Sequence, residues 1–270
     1  MWKFPPRRVP ALLAVLGIVL CVGVASCGGS QPSEDGQQGG TSSEIVVSAA
    51  SDLSPVLEEL APLFKQETGL TLSTNLGSTG QLMEQIAAGA KVDVFLAASS
   101  SSIDQLDEKG LLVANSSRLY ARGQLVLWTA PGSKPTVTAL EDLMGTAVTR
   151  VSLANPDHAP YGKAAREALQ SAGLWDQLQP KIVPAENVRQ AFQFAQSGNV
   201  DVGLVALSLV VGQGGSYTVV PEELHQPINQ TLALVKAGAN PGGAQSFVDF
   251  LTGPKGDEIL LKYGFVLPEE

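Results

Sequence analysis

VSAASDLSPVLEELAPLF, residues 47–64, changes its period partway through. Val47 to Ala50 is a short run of apolar and small residues that suits a buried strand. From Ser54 onward, Val56, Leu57, Leu60 and Phe64 fall on one face of a helix, predicting it over Ser54–Thr68. Only Ser51 to Leu53 separate the two, so Ser51 stands at the carboxyl end of a strand and the amino end of a helix. A strand joined this tightly to a helix is the first half of a βαβ unit, and repeats of it imply a parallel sheet covered by helices.

The rest of the chain continues the alternation. Strands are predicted at Ile45–Ala49, Leu70–Asn75 and Val92–Ala97, with helices at Thr79–Ala88 and Ser101–Glu108. A second set follows: strands at Gly123–Pro131, Ala147–Ser152 and Val202–Ala206, and helices at Leu140–Met144, Lys163–Gln170 and Val188–Gln196. A late strand, Thr231–Val235, precedes two closing helices, Ala244–Leu251 and Asp257–Tyr263. The element order predicts two α/β lobes, each a mostly parallel sheet flanked by helices, joined by a strand hinge. Lobe 1 is read as 44–124 plus 232–270 and lobe 2 as 125–231. Gly123–Thr129 carries the chain over and Thr231–Val235 brings it back, with the last helices packing on lobe 1.

The first 26 residues read as an export signal: Lys3, Arg7 and Arg8, then an apolar run from Ala11 to Val24, then small residues. Val24-Ala25-Ser26-Cys27 is similar to a bacterial lipobox, which makes Cys27 the lipidation site. An ordinary signal with a chance cysteine is the alternative. Residues 28–43 contain no apolar side chain and read, with Cys27, as a flexible tether. The result is an extracytoplasmic domain anchored to a membrane by lipid, at the cell surface or in the periplasm.

Cys21 leaves with the signal, so the mature domain has no cysteine beyond Cys27 and no disulfide or thiolate metal site. Loss of Lys3, Arg7 and Arg8 takes 17 bases to 14 against 26 acids, and the net charge from −9 to −12. Such a field argues against nucleic acid and anionic lipid as partners. Any anion bound here must be held by local dipoles.

Four strand-to-helix junctions carry small polar or glycine residues: Ala49-Ala50-Ser51-Asp52, Asn75 to Gly80, Asn155 to Gly162, and Pro184 to Arg189. In an α/β sheet, ligands sit beyond the carboxyl ends of the strands, where helix amino termini present unpaired N–H groups. Converging helix starts make a neutral cage for a small, fully ionised oxyanion. Each piece alone has an ordinary explanation, since Ser51 and Ser78 are also what N-caps look like. His158 and His225 are the only histidines and form no metal-binding spacing. A Ser51 or Ser78 dyad with His158 is the enzymatic alternative, a secreted serine hydrolase. Against it, the chain has no G-x-S-x-G elbow, and a loop histidine between prolines more often caps a turn or faces solvent. Asp93 and Asp201 read as edge or capping carboxylates, and Trp128, Phe192 and Phe194 as core.

The segments ASDL, GSTGQLMEQ, ANPDHAPYG, PAENVRQAF and KYGFVLP, in this order from Glu44 to Pro268, resemble the molybdate-binding substrate-binding proteins of ABC transporters. The third segment departs slightly from the family's pattern, opening on Asn155 where a Gly-x-Pro start is more usual. The resemblance implies a periplasmic-binding-protein-like fold and a non-enzymatic monomer that captures molybdate, and tungstate too, for a permease and an ATPase on separate chains. A binder of another oxyanion or a small organic anion is the nearest alternative. The family holds its ligand by hydrogen bonds alone, so the resemblance implies no cofactor, and molybdenum only as its oxyanion, with no protein ligand on the metal. Carried over position by position, it implies oxyanion-binding roles for Ser51 and Ser78, through hydroxyl and backbone N–H, and for Tyr161 and Val188, through the backbone amide. A tyrosine that completes the family's shell is matched here by Ala206. Ser208 and the Tyr161 hydroxyl are the two candidates to replace that donor.

Overall fold

The computed structural model describes residues 43–269. The expected signal, Cys27 and all but the last residue of the expected tether lie outside them.

β1 (Glu44–Ala50) runs through a 3-10 turn, Ser51–Leu53, into α1 (Ser54–Thr68). Pro55 suits the first turn of α1, where an N–H has no partner to lose. Gly69 ends the helix at φ +75, a conformation that favours glycine. There follow β2 (Thr71–Gly77), α2 (Thr79–Ala87), β3 (Val94–Ala97), α3 (Ser100–Glu108) and β4 (Arg118–Gly123). After Gln124 come β5 (Leu125–Thr129), β6 (Val151–Ala154), α4 (Pro160–Ser171), α5 (Trp175–Leu178), β7 (Ile182–Ala185), α6 (Val188–Gln196), β8 (Val202–Ala206), α7 (Leu207–Val210) and β9 (Ser216–Val219). β10 (Ile228–Leu234), α8 (Pro241–Leu251) and α9 (Pro254–Lys262) close the chain.

The strands form two five-stranded sheets, ordered β2-β1-β3-β10-β4 and β7-β6-β8-β5-β9. In each sheet three strands are parallel, as the βα repeats require. The other two pair antiparallel, β10 with β3 and β4, and β5 with β8 and β9. Both sheets are therefore mixed. The added antiparallel strands are β5 and β10, which each follow a passage of the chain between the sheets. The first passage is at Gln124 and the second spans residues 220–227.

The apolar face read from the sequence of α1 is buried: Val56, Leu60 and Phe64 are fully enclosed. Phe64 meets Phe247 and Phe250 of α8 edge-on, with ring centroids 5.6 and 5.4 Å apart. α8 and α9 thus pack with α1 and β1, in one core with Ile45, Ile259 and Leu260. Leu82 and Ile86 of α2 join Ile103 and Leu106 of α3 in a core that includes Phe95 of β3. The second sheet has its own core, in which Trp128 lies 5.0 Å from Phe192. Asp93 accepts from the Val46 and Asn240 amides, and Asp201 from Thr149 and Arg150, so both act as capping carboxylates.

Candidate functional site

The starts of four helices come together between the two sheets. Ser51 opens the turn into α1, Ser78 is the N-cap of α2, Pro160 and Tyr161 open α4, and Val188 opens α6. Together with Ala50, Asp52, Gly77, Thr79, Ala98 and Ala159, these residues line one small cavity. The centre of a water-sized sphere has only about 10 Å³ in which to move there, about the room one water needs. The four residues that sequence reasoning singled out, Ser51, Ser78, Tyr161 and Val188, all face this space.

Among the described residues no lysine, arginine or histidine side chain lines the cavity. Its positive potential comes from the helix ends, each equivalent to about half an elementary charge. Two ends come from each sheet, and four together offset roughly two negative charges. The α6 start shows how its amides are used. Arg189 N–H donates to Ser51 Oγ at 3.4 Å and Gln190 N–H to Asn187 Oδ1 at 3.0 Å, which leaves the first amide, Val188, for a solute. In α2, Gly80 N–H donates to His158 O at 2.9 Å and Gln81 N–H to Ser78 Oγ at 3.4 Å. Thr79 Oγ1 accepts from the Ala98 amide and ties the floor of the cavity to β3.

The two halves are in direct contact around the cavity. Ser51 Oγ donates to Asn187 Oδ1 at 3.2 Å, Ser78 Oγ lies 2.8 Å from His158 Nδ1, and Gln81 Nε2 donates to Glu186 Oε2 at 2.9 Å. Gly80 is needed for this approach, since a Cβ there would sit 2.7 Å from His158 O.

One member of the cavity wall, Asp52, is fully buried. Its Oδ2 accepts from the Tyr161 hydroxyl at 3.1 Å and from Gln230 Nε2 at 2.6 Å, and its backbone carbonyl from Ser208 Oγ at 2.8 Å. Burial raises its carboxyl from 3.8 to about 6, against the lowering effect of these donors. Asp52 Oδ1, the Tyr120 hydroxyl and Gln230 Oε1 are buried without a hydrogen-bond partner among the described residues. Gly123 makes room for this cluster, because a Cβ there would overlap the Tyr161 hydroxyl.

These bonds correct one expectation. Neither Ser208 nor the Tyr161 hydroxyl substitutes for the donor absent at Ala206, because both donate to Asp52. Ala206 itself is buried at the end of β8 and is not part of the cavity wall. Sequence reasoning also missed Asn187, although N-x-x-Q before an apolar run is a helix-start signature. Asn187 caps α6, while Gln190 Oε1 accepts from the Glu186 amide. His158 was read as a turn or solvent residue, yet its ring meets Ser78. Among the described residues no group of acidic, histidine or cysteine side chains could hold a metal ion, and no helix is long and apolar enough to cross a membrane.

The sequence model of a family described as bacterial extracellular solute-binding protein matches residues 45–266. The molybdate-binding protein ModA of Rhodobacter capsulatus is 39% identical over 224 residues, spanning 83% of this chain and 88% of that protein. That of Azotobacter vinelandii is 38% identical over 229 residues, spanning 83% and 90%. The solved structure of the Azotobacter vinelandii periplasmic molybdate-binding protein superposes with a TM-score of 0.80 at 34% identity, covering 83% of this chain and 100% of that one.

Proposed function

The chain belongs to the bacterial extracellular solute-binding proteins, and on that footing we propose that it captures molybdate, and tungstate with it, for an ABC importer whose permease and ATPase are separate chains. The observation that carries this reading is the convergence of four helix starts, two from each sheet, on one small cavity. Ser78 would donate through its hydroxyl and Ser51 by turning its proton from Asn187 Oδ1 to the anion, and Tyr161 and Val188 would donate through their backbone amides. A dianion fits the summed helix-end charge without needing a cation. A cage spanned by donors from both halves also selects for size, because a smaller tetrahedral anion such as sulfate leaves the same donors at overlong distances.

Titration calorimetry on the domain from Glu44 onward tests this with molybdate, tungstate, sulfate and phosphate. Tight binding of the first two alone is expected. Ser51→Ala should weaken it by about 10- to 100-fold, the worth of a hydrogen bond to a charged group, about 1.5–3 kcal/mol. Sulfate or phosphate binding in their place would keep the fold and sink the molybdate assignment.

We read the protein as non-enzymatic. The 2.8 Å approach of Ser78 to His158 is the geometry a nucleophile and base would need. However, no hydrogen bond from His158 to a carboxylate appears among the described residues, and Ser78 Oγ is already engaged as an N-cap. A fluorophosphonate should therefore leave Ser78 unlabelled, and labelling would favour the hydrolase.

Cys27 is proposed as the lipid anchor, on the sequence pattern alone. Labelled palmitate should enter the wild-type chain, and Cys27→Ala should lose the label and leave the membrane fraction.

A further inference from the structure

We propose that His158 is a positioning residue for the bound anion: it acts through Ser78, fixing that hydroxyl as a donor into the cavity. The inference rests on the oxyanion reading above and extends it to a residue outside the cavity wall.

The geometry is a two-point contact between segment 155–159 and the start of α2. His158 O accepts from the Gly80 amide at 2.9 Å, and His158 Nδ1 lies 2.8 Å from Ser78 Oγ. The segment is held in place: the Ala159 amide donates to Asn155 O at 3.0 Å, and the Asp157 amide to Asn155 Oδ1 at 3.0 Å. Ser78 Oγ has one proton and two lone pairs, and one lone pair already takes the Gln81 amide.

The neutral imidazole can then be in either of two forms. With the proton on Nε2, Nδ1 is an acceptor, and the Ser78 proton goes to it. The anion would then face a serine lone pair. With the proton on Nδ1, the ring donates to the second lone pair of Ser78, and the only group left to the cavity is the O–H. An anion interacts favourably with the second arrangement alone, so binding selects it. The doubly protonated ring keeps the same Nδ1–H. Because His158 and Ser78 belong to opposite sides of the cavity, the arrangement exists only with the two halves together. It supplies a reason for a histidine at a position where the wall itself carries no charged donor.

Two measurements test this. The chain has two histidines, so His158 and His225 are readily told apart in long-range proton–nitrogen spectra of the labelled protein. With molybdate bound, His158 Nδ1 should carry the proton. An unprotonated Nδ1 in the bound state overturns the proposal. Side-chain replacement gives the second measurement. In asparagine the amide nitrogen occupies the place of Nδ1, two bonds beyond Cβ. His158→Asn should bind molybdate within about threefold of wild type, whereas His158→Ala should bind about tenfold more weakly, one hydrogen bond's worth. In a Ser78→Ala background that difference should vanish, because the group being positioned is gone. Equal affinities for the Asn and Ala variants, or a difference that persists without Ser78, overturn the proposal while leaving molybdate binding intact. A wild-type protein that does not bind molybdate overturns both readings.

Discussion

Gly80→Ala should bind molybdate about 100-fold more weakly than wild type with little net change in the stability of its anion-free fold, where the helix gain is offset by the bond lost between the halves. The two effects have separate causes. Gly80 lies in the first turn of α2, where alanine is a better helix former by up to about 1 kcal/mol. The same methyl would sit 2.7 Å from His158 O and 3.0 Å from His158 Cβ, in a segment of the facing half. Neither atom belongs to the flexible end of a side chain, so the halves must part. Parting breaks the bond from Gly80 N–H to His158 O and lengthens every donor that reaches the anion from the far side. Two or three weakened hydrogen bonds of about 1 kcal/mol each amount to about 100-fold. Calorimetry gives the affinity, and thermal unfolding without anion gives the stability. Unchanged affinity would show that the halves need not approach so closely for binding.

Asp52→Asn should instead gain both stability and affinity at pH 8. The folded protein holds the Asp52 proton up to about pH 6, whereas the unfolded chain releases it near 3.8. Between these values the folded state binds more protons, so stability falls as pH rises through the window. The full loss is about 3 kcal/mol. Asparagine cannot ionise, so the variant's advantage should be absent near pH 4 and reach about 3 kcal/mol above pH 6 or 7. Its carbonyl can take over the bonds from Tyr161 and Gln230. Gln230 Oε1 and the Tyr120 hydroxyl, unpartnered in the same buried cluster, are the acceptors its amide would need. Removing a negative charge from the cavity wall should also tighten binding of a dianion, by at least about tenfold. Denaturant unfolding at pH 4 and pH 8 reads the first effect. A variant no more stable than wild type at pH 8 would mean that the buried carboxylate is not held at a cost.

The parts of this fold that were legible in the sequence are those in which neighbouring residues decide the outcome. The spacing of Val56, Leu57, Leu60 and Phe64 predicted α1 to its ends, because burial of one face is a local pattern. The junctions that hold Ser51, Ser78, Tyr161 and Val188 could be placed on one cavity because each follows a strand in a parallel arrangement, and such ends converge, whereas Tyr161 and Val188 themselves were implied by the family resemblance. β4 was missed because RLYARG alternates around two arginines, and β9 because SYTV is a short edge strand with exposed side chains. β7 contains Pro184, which reads as a breaker. The contacts of His158 with Ser78, and of Asp52 with Tyr161 and Gln230, join residues 80, 109 and 178 positions apart. No local pattern encodes such pairings, and a loop histidine or a junction aspartate looks the same with or without them.

The placement of β10 also orders events in time. Strands β5 to β9 lie within residues 125–219, so the second sheet can assemble from one unbroken stretch of chain. The first sheet cannot, since β10 must insert between β3 and β4, pairing Thr231 with Ala97 across the whole intervening half. Closing so long a loop before any contact rewards it slows that step. In refolding followed by pulsed hydrogen exchange, the amides of β5, β6 and β8 should gain protection first, and those of β3, β4 and β10 together and later. The cavity, which needs both sheets, becomes competent only with that last insertion.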